Sequence, residues 1–287
     1  MNMKRMLTHL HWRYAWCFLA LLLVPFEDTT AQSCDCTEYI YLNDEEQNIV
    51  HKFAVDGSGL SEIGNPWLPP GTLTNPHGLA QDNNGRLYIG QAEGFTGPVD
   101  GPIFQLDVFG NELNDDYIAP VTKYGFNFAS KDGVLYMAFN PENTVRAYDL
   151  CDGSLIGSMN VGAGISSWGF YVDDNSWYLG ARNSGRIYSG ALDISLFTTP
   201  ATNSGMELFN TGVSGGAADP APMGITRDAV GNFYVIFNRL SGGSATVEIR
   251  KYSPTGMLLM TISDNSNDGA NTTNGQSGFW GARGIVY

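Results

Sequence analysis

Short segments in which apolar and polar residues alternate recur along the chain, separated by turns rich in Asp, Asn and Gly. Four of them hold two apolar strands around one tight turn, and these begin at Pro76, Tyr124, Trp168 and Met223. A period of two predicts β-strands with two different faces, and Asp, Asn and Gly tolerate the positive backbone angles of tight hairpins. The pattern therefore predicts a hairpin roughly every 40 to 60 residues.

A third and a fourth strand follow each hairpin. After the hairpin that begins at Tyr124, for example, residues 145–149 alternate, and a turn at Asp152-Gly153 leads into residues 155–157. Each repeat is thus a four-stranded antiparallel meander, which is the repeating unit of a β-propeller. We therefore predict an all-β propeller with one blade per repeat.

The two ends of the chain carry incomplete repeats. Residues 38–42 look like a second strand with no first strand before it, and residues 281–287 look like a first strand with nothing after it. Together they would complete a fifth blade and remove the free sheet edges that invite aggregation. The alternative is a truncated chain whose sixth blade is unfinished.

Composition and charge narrow the possible partners. The 287 residues include 35 Gly, 15% charged and 12% aromatic residues, which is too aromatic for a disordered chain. The formal net charge is −14. A polyanion repels nucleic acid and anionic membrane surfaces, so we exclude both as partners.

The N-terminal residues have the pattern of a secretory signal peptide. Lys4, Arg5 and Arg13 precede an apolar run over residues 14–26, and small residues lead up to Ala31. The run is too short to span a bilayer, and Ala31 fits a signal-peptidase site. We predict removal of residues 1–31 and a secreted or cell-surface protein. Residues 32–287 then form a single propeller domain without a membrane span.

Two stretches carry a family resemblance. Residues 222–228, followed by residues 231–235, resemble the repeats of NHL-type and gluconolactonase-like propellers. The start of the mature chain, residues 34–43 after a signal ending in Ala-Gln, resembles large exported proteins of the Bacteroidetes. The resemblance implies a propeller fold but no single activity, because propellers include both enzymes and binding scaffolds.

Loop lengths distinguish the two faces of the predicted disc. Connections between second and third strands and between blades lie on one face, which we call the long-loop face. Turns between first and second and between third and fourth strands lie on the other, the tight-turn face. All long insertions are predicted on the long-loop face: residues 92–101, 198–221, 239–246 and 264–278. Because function usually lies on variable loops over a rigid scaffold, we expect the site there.

The candidate site residues surround the channel on this face. Residues at the start of the first strands are His77, Tyr124, Trp168, Met223 and Arg283, and residues at the end of the second strands include Asn140, Arg182 and Asn238. Such an aromatic and basic funnel suits the stacking of a sugar ring or the binding of a carboxylate, and ordinary packing around the axis is the alternative.

The sequence was compared with the cation sites that a catalytic propeller would need. Gluconolactonase-like enzymes hold a divalent cation in the channel, but the channel positions in this chain offer amides and no carboxylate. Asp264 and Asp268 resemble the first half of a calcium loop, although Gly275 stands where the bidentate acid is expected, so calcium is the only cofactor suggested. We predict a non-catalytic binding module for a glycan, a peptide or a protein. The alternative is a divalent-cation-dependent lactonase-like hydrolase.

Three cysteines remain after signal removal, namely Cys34, Cys36 and Cys151. Export permits disulfides, so the simplest arrangement pairs Cys151 with Cys34 or Cys36 and leaves one thiol free.

Overall fold

Twenty β-strands form five four-stranded antiparallel sheets in the part of the chain that the computed structural model describes. That part comprises residues 38–44, 48–56, 59–63, 68, 73, 76–91, 102–118, 125–139, 142–162, 167–198, 202–203, 205–213, 221–238, 248–263 and 282–286. Each sheet is one blade of a β-propeller, which confirms the predicted fold class.

Each blade runs from an innermost strand at the channel to an outermost strand at the rim, and the strands follow in that order. The first blade contains β20 (Ala282–Val286), β1 (Glu38–Asp44), β2 (Ile49–Asp56) and β3 (Gly59–Glu62). The second contains β4 (Pro76–Gln81), β5 (Leu87–Gln91), β6 (Ile103–Leu106) and β7 (Glu112–Ile118). The third contains β8 (Gly125–Lys131), β9 (Val134–Phe139), β10 (Thr144–Asp149) and β11 (Leu155–Asn160). The fourth contains β12 (Ser167–Val172), β13 (Ser176–Ala181), β14 (Arg186–Ala191) and β15 (Met206–Asn210). The fifth contains β16 (Ala221–Arg227), β17 (Phe233–Asn238), β18 (Glu248–Tyr252) and β19 (Leu258–Ser263).

The position of a strand within its blade explains its polarity. The second strands β9 and β13 are buried at every position after the first, because neighbouring blades cover both of their faces. Such strands read as continuous apolar runs. The outermost strand β11 is exposed or half-buried everywhere except at Met159, so its sequence is mixed. Distance from the axis therefore sets the hydrophobic pattern that repeats along the chain.

The two ends of the chain share one blade. Strand β20 pairs antiparallel with β1, and Ile285 stands opposite Leu42. Each innermost strand contacts the innermost strand of the next blade, in the order β20, β4, β8, β12, β16 and back to β20. The ring of described strands thus closes with five blades, as the first of the two alternatives predicts.

Apolar clusters fill the spaces between successive blades. Between the fifth and first blades, Ile236 and Ile249 pack with Ile40, Leu42 and Ile285. Corresponding clusters lie at the other four junctions. Burial of apolar area between sheets, rather than within a single sheet, supplies the main stabilisation.

Aspartates in the hairpin turns hold the first and second strands together. The Asp173 carboxylate accepts backbone N–H bonds from Asn175 and Ser176 at 3.1 and 2.9 Å, and the Tyr178 hydroxyl donates to it at 2.8 Å. Arg227 of the fifth blade donates to the same carboxylate at 2.5 Å. In the second blade, the Tyr88 hydroxyl donates to Asp82 at 3.1 Å in the same way. The Asp and Tyr that recur in the repeats therefore stabilise turns and blade contacts.

One predicted loop assignment is wrong. The insertion expected at residues 198–221 on the long-loop face is divided by β15, which pairs with β14. The preceding connection therefore lies on the tight-turn face, where it forms α1 (Ser195–Thr198) and packs on β11. Gly157 in β11 permits this packing, because a Cβ there would overlap the Phe197 carbonyl oxygen. The short strand β15 is mostly exposed, so its sequence lacks the apolar run that would reveal it.

Among the described residues, no helix has the length and apolar character that crossing a membrane requires.

We expect Ile285→Ala to lower the free energy of unfolding by about 2 to 4 kcal/mol, because it leaves a cavity at the junction where the ring closes. Ile285 is 2% exposed. Urea titration followed by tryptophan fluorescence measures the change. Val230→Ala is the matched control, because Val230 is 78% exposed and its truncation should cost less than about 0.5 kcal/mol. Equal effects of the two substitutions would contradict the closing role of β20.

Candidate functional site

A β-bulge interrupts the innermost strand of every blade at its long-loop end. In the fourth and fifth blades the register shifts between Ser167 and Gly169 and between Pro222 and Gly224. The extra residues are therefore Trp168 and Met223, and Arg283 is the extra residue of β20. Bulges re-aim side chains at the rims of barrels and near binding sites. Three of the predicted site residues thus occupy one structural position.

In the second and third blades the bulge does not fall on the residue that we predicted for the site. In β8 the shift lies between Gly125 and Asn127, so Phe126 is the extra residue there, two positions after the predicted Tyr124. In β4 the extra residue is Gly78, directly after His77. Sequence alignment of the hairpins cannot place a bulge, because a bulge changes the spacing between the turn and the strand end.

Trp168, Met223 and Arg182 come together beside the channel. Trp168 and Met223 pack with Ala221 in a buried cluster at the junction of the fourth and fifth blades. The guanidinium carbon of Arg182 lies 4.4 Å from the centroid of the Trp168 ring. Because Trp168 is only 6% exposed, the half-buried Arg182 is the member of this group that a ligand can reach. We call these three residues the Arg182–Trp168 platform.

The turn that carries Arg182 is rigid. It follows β13 directly, and the N–H of Gly185 donates to the carbonyl oxygen of Ala181 at 2.9 Å. Gly185 has a φ of +62°, and a Cβ there would overlap the Val213 carbonyl oxygen. The Thr211 hydroxyl donates to the Gly185 carbonyl at 2.5 Å. Glycine is therefore required, and the turn is fastened to the segment that leaves the fourth blade.

Arg182 is a partly desolvated cation. Burial lowers the pKa of its guanidinium, although an arginine remains charged at any physiological pH. Within the described part of the chain, Arg182 forms no ion pair, whereas four other arginines do so, namely Arg146, Arg186, Arg227 and Arg250. A stacked guanidinium keeps its N–H groups in the plane of the fork, where they match a carboxylate.

His77 is an interior residue. It is 2% exposed, and burial lowers the pKa of its imidazole from 6.5 to about 4. The ring is therefore neutral at pH 7. It lies at the long-loop end of β4, and its burial is that of a packing residue.

Asn127 is a channel residue that sequence reasoning did not single out. Its side-chain amide donates to the carbonyl oxygen of Met223 at 3.0 Å. Strand β8 carries Asn127 and strand β16 carries Met223, and the fourth blade stands between them in the ring. The amide therefore spans the channel. The only signal in the sequence is an asparagine between two phenylalanines, in a strand whose other central positions are apolar.

The other predicted site residues have no described side chain. Tyr124, Asn140, Asp264 and Asp268 lie outside the described residues, as do residues 1–31, and Arg283 and Asn238 are described only as strand positions. Cys151 is exposed in the turn after β10, whereas Cys34 and Cys36 lie outside the described part, so their pairing stays a prediction. Within the described ranges, no three His, Cys, Asp or Glu residues group as metal ligands would.

Comparison with known proteins gives limited similarity. No family model and no curated protein matches the chain. A chain from the crystal structure of a nidogen/laminin complex is similar, with 10% identity, a TM-score of 0.49, and coverage of 86% of this chain and 97% of that chain. The computationally designed Ika8 protein is similar at 16% identity and a TM-score of 0.37, covering 78% of this chain and 73% of that one. The designed Ika4 protein is similar at 17% identity and a TM-score of 0.34, covering 60% of this chain and 89% of that one. At these TM-scores the propeller fold rests on the strand pairing itself, and the NHL-type resemblance stays a prediction.

We expect His77 to make the protein less stable in acid. The pKa of the folded state is lowered, so the unfolded chain binds the proton more readily between pH 6.5 and 4. The contribution of His77 is complete above pH 6.5 and is lost as the pH falls towards 4, to a total of about 3 kcal/mol. Free energies of unfolding from urea titrations at several pH values measure this loss.

The matched variant is His77→Gln, which keeps a polar side chain and removes the titration. Carboxylates contribute equally to both proteins, so the difference between the two pH profiles isolates His77. Parallel profiles between pH 7 and 4 would mean that the imidazole is not desolvated.

Proposed function

We propose that this protein is an exported, non-catalytic binding module that recognises a carboxylate-bearing ligand at the Arg182–Trp168 platform on its long-loop face. The ligand classes are a glycan, a peptide or a partner protein. The observation that carries the proposal is a half-buried arginine that stacks 4.4 Å from a tryptophan ring and has no acidic partner in the described part of the chain.

The stacking arrangement supports a carboxylate ligand in particular. The guanidinium carbon lies over the tryptophan ring, and a guanidinium carries its five N–H donors in one plane. A bidentate contact with a carboxylate uses two of them in parallel. Because Arg182 is already partly desolvated, less water has to be removed when a ligand binds than at an exposed arginine.

The structure around Arg182 also favours a binding site on the long-loop face. Arg182 lies on a turn fastened by Gly185 and Thr211, so little conformational entropy is lost on binding. The insertions predicted at residues 92–101, 239–246 and 264–278 connect strands at this end of the blades. We propose that they supply the remaining contacts and the specificity, since loops over a rigid scaffold commonly do so.

Location and charge complete the proposal. The pattern of residues 1–31 supports export through a signal peptide, and the mature protein is then secreted or held at the cell surface. The net charge of −14 opposes nucleic acid as a partner. At physiological ionic strength this charge is screened beyond about 8 Å, so it does not prevent a local carboxylate contact with Arg182.

We expect Arg182→Gln to weaken binding at least tenfold, because it removes the charge and the bidentate fork while keeping a polar side chain. The probes are oligogalacturonates and a library of peptides with free C-terminal carboxylates, and surface plasmon resonance gives the affinities. Arg86→Gln is the matched control, because Arg86 is exposed in the turn between β4 and β5 on the tight-turn face. It should change the affinity less than twofold.

Two results would contradict the proposal. An Arg182→Gln protein that retains the full affinity for a bound probe would place the ligand elsewhere. Hydrolysis of sugar lactones that requires added calcium and stops with a chelator would instead support the lactonase-like alternative.

A further inference from the structure

A cavity opens at the tight-turn end of the channel. Its volume is about 350 Å³, and every innermost strand contributes to its wall. One lining residue from each of these strands, in ring order, is Ile285, Gln81, Ser130, Tyr171 and Ile225. The cavity thus lies on the propeller axis, where ligands commonly bind in concave sites of this size.

This cavity is separate from the Arg182–Trp168 platform. Asn127 spans the channel between the two ends, and Phe128, the next residue along β8, lines the cavity. The Phe128 ring is fixed between two glycines of the second blade. A Cβ at Gly78 would lie 2.9 Å from the ring, and a Cβ at Gly90 would lie 2.6 Å from it. Phe128 therefore has a fixed position where it lines the cavity.

The charged residues at the rim already satisfy one another. Lys131 pairs with Asp174 at 2.6 Å and with Asp132 at 3.3 Å. Asp173 pairs with Arg227 at 2.5 Å. A charged ligand would have to compete with these pairs, and exchanging one ion pair for another yields little free energy. The rim therefore disfavours a ligand that depends on charge.

Neutral polar groups are left over. The hydroxyl of Tyr171 makes no hydrogen bond to any described residue, and burial raises the pKa of this phenol to about 12, so it stays protonated. The Gln81 side chain donates to the Gly85 carbonyl at 3.2 Å through its nitrogen, which leaves its oxygen as an acceptor. Asn83 adds a second amide at the rim. These groups provide donors and acceptors without net charge.

We propose that the tight-turn end of the channel binds a neutral, hydroxyl-rich molecule of the size of a monosaccharide or disaccharide. Hydroxyl groups of such a ligand would exchange hydrogen bonds with Tyr171, Gln81 and Asn83. Its C–H face would pack on Phe128 and the isoleucines of the wall. Such a ligand leaves the rim ion pairs intact, and a disaccharide fits a volume of about 350 Å³.

Isothermal titration calorimetry on the full mature chain tests the proposal with glucose and maltose as neutral probes, and with glucuronate and glucosamine as charged ones. We expect millimolar affinity for a neutral probe and at least fivefold weaker binding of both charged probes. Stronger binding of glucuronate or glucosamine, or no binding of any probe at 50 mM, would overturn the proposal.

Two substitutions locate the site. Tyr171→Phe removes only the phenol hydroxyl and should weaken the binding of the neutral probe roughly fivefold. Tyr188→Phe removes a hydroxyl on β14, away from the cavity, and should leave the affinity unchanged. Equal effects of the two would overturn the assignment to this cavity.

Two further variants show whether a loss of binding reflects misfolding and whether the neutral probe binds at the platform instead. Ser130→Leu fills the cavity and should abolish binding while near-ultraviolet circular dichroism remains that of the folded protein; retained binding in the folded variant would overturn the proposal. Arg182→Gln should leave the affinity for glucose and maltose unchanged, because it lies at the opposite end of the channel. A loss in that variant would assign the neutral probe to the platform instead.

Discussion

The pairing of β20 with β1 is the interaction on which the rest of the structure depends. Without it, β1 would expose its free edge and β16 would lose the neighbouring strand that it contacts. The cluster around Ile285 would also lose one of its sides. The pairing joins residues about 240 positions apart in the chain, so its entropic cost is among the largest in the fold. Burial between the first and fifth blades has to offset that cost, which explains why Ile40, Leu42 and Ile285 are almost completely buried.

Ring closure with five blades also sets the width of the channel. The innermost strands come close enough for one amide side chain, that of Asn127, to reach from the third blade to the fifth. A neutral amide suits this position, because its donor satisfies a main-chain carbonyl that would otherwise face the channel. The consequence is two chemically different mouths. The long-loop mouth has a partly desolvated arginine, whereas the tight-turn mouth has neutral donors and acceptors beside closed ion pairs.

Sequence periodicity predicted most of the fold, because each second strand is buried on both faces and therefore stands out as an apolar run. It also predicted that Trp168, Met223 and Arg182 share one face. It missed β15, whose exposed positions carry no periodic signal, and it placed Tyr124 where Phe126 stands, because a bulge changes the spacing that an alignment relies on. The role of Asn127 was beyond reach, since its partner is 96 residues away and two blades along the ring.

The carboxylates that recur in the repeats stabilise the fold and are not available to a ligand. Asp82, Asp173 and Asp228 each follow an innermost strand, and each accepts bonds from its own turn and from a tyrosine or a cation of a blade. Burial by itself raises the pKa of Asp228, but bonds from Asn232 and Lys251 lower it overall, so this carboxylate is ionised and committed to the fold. The groups that can meet a ligand are those that no such bond engages. Among the described residues, Arg182 at one mouth and Tyr171 at the other are two such groups.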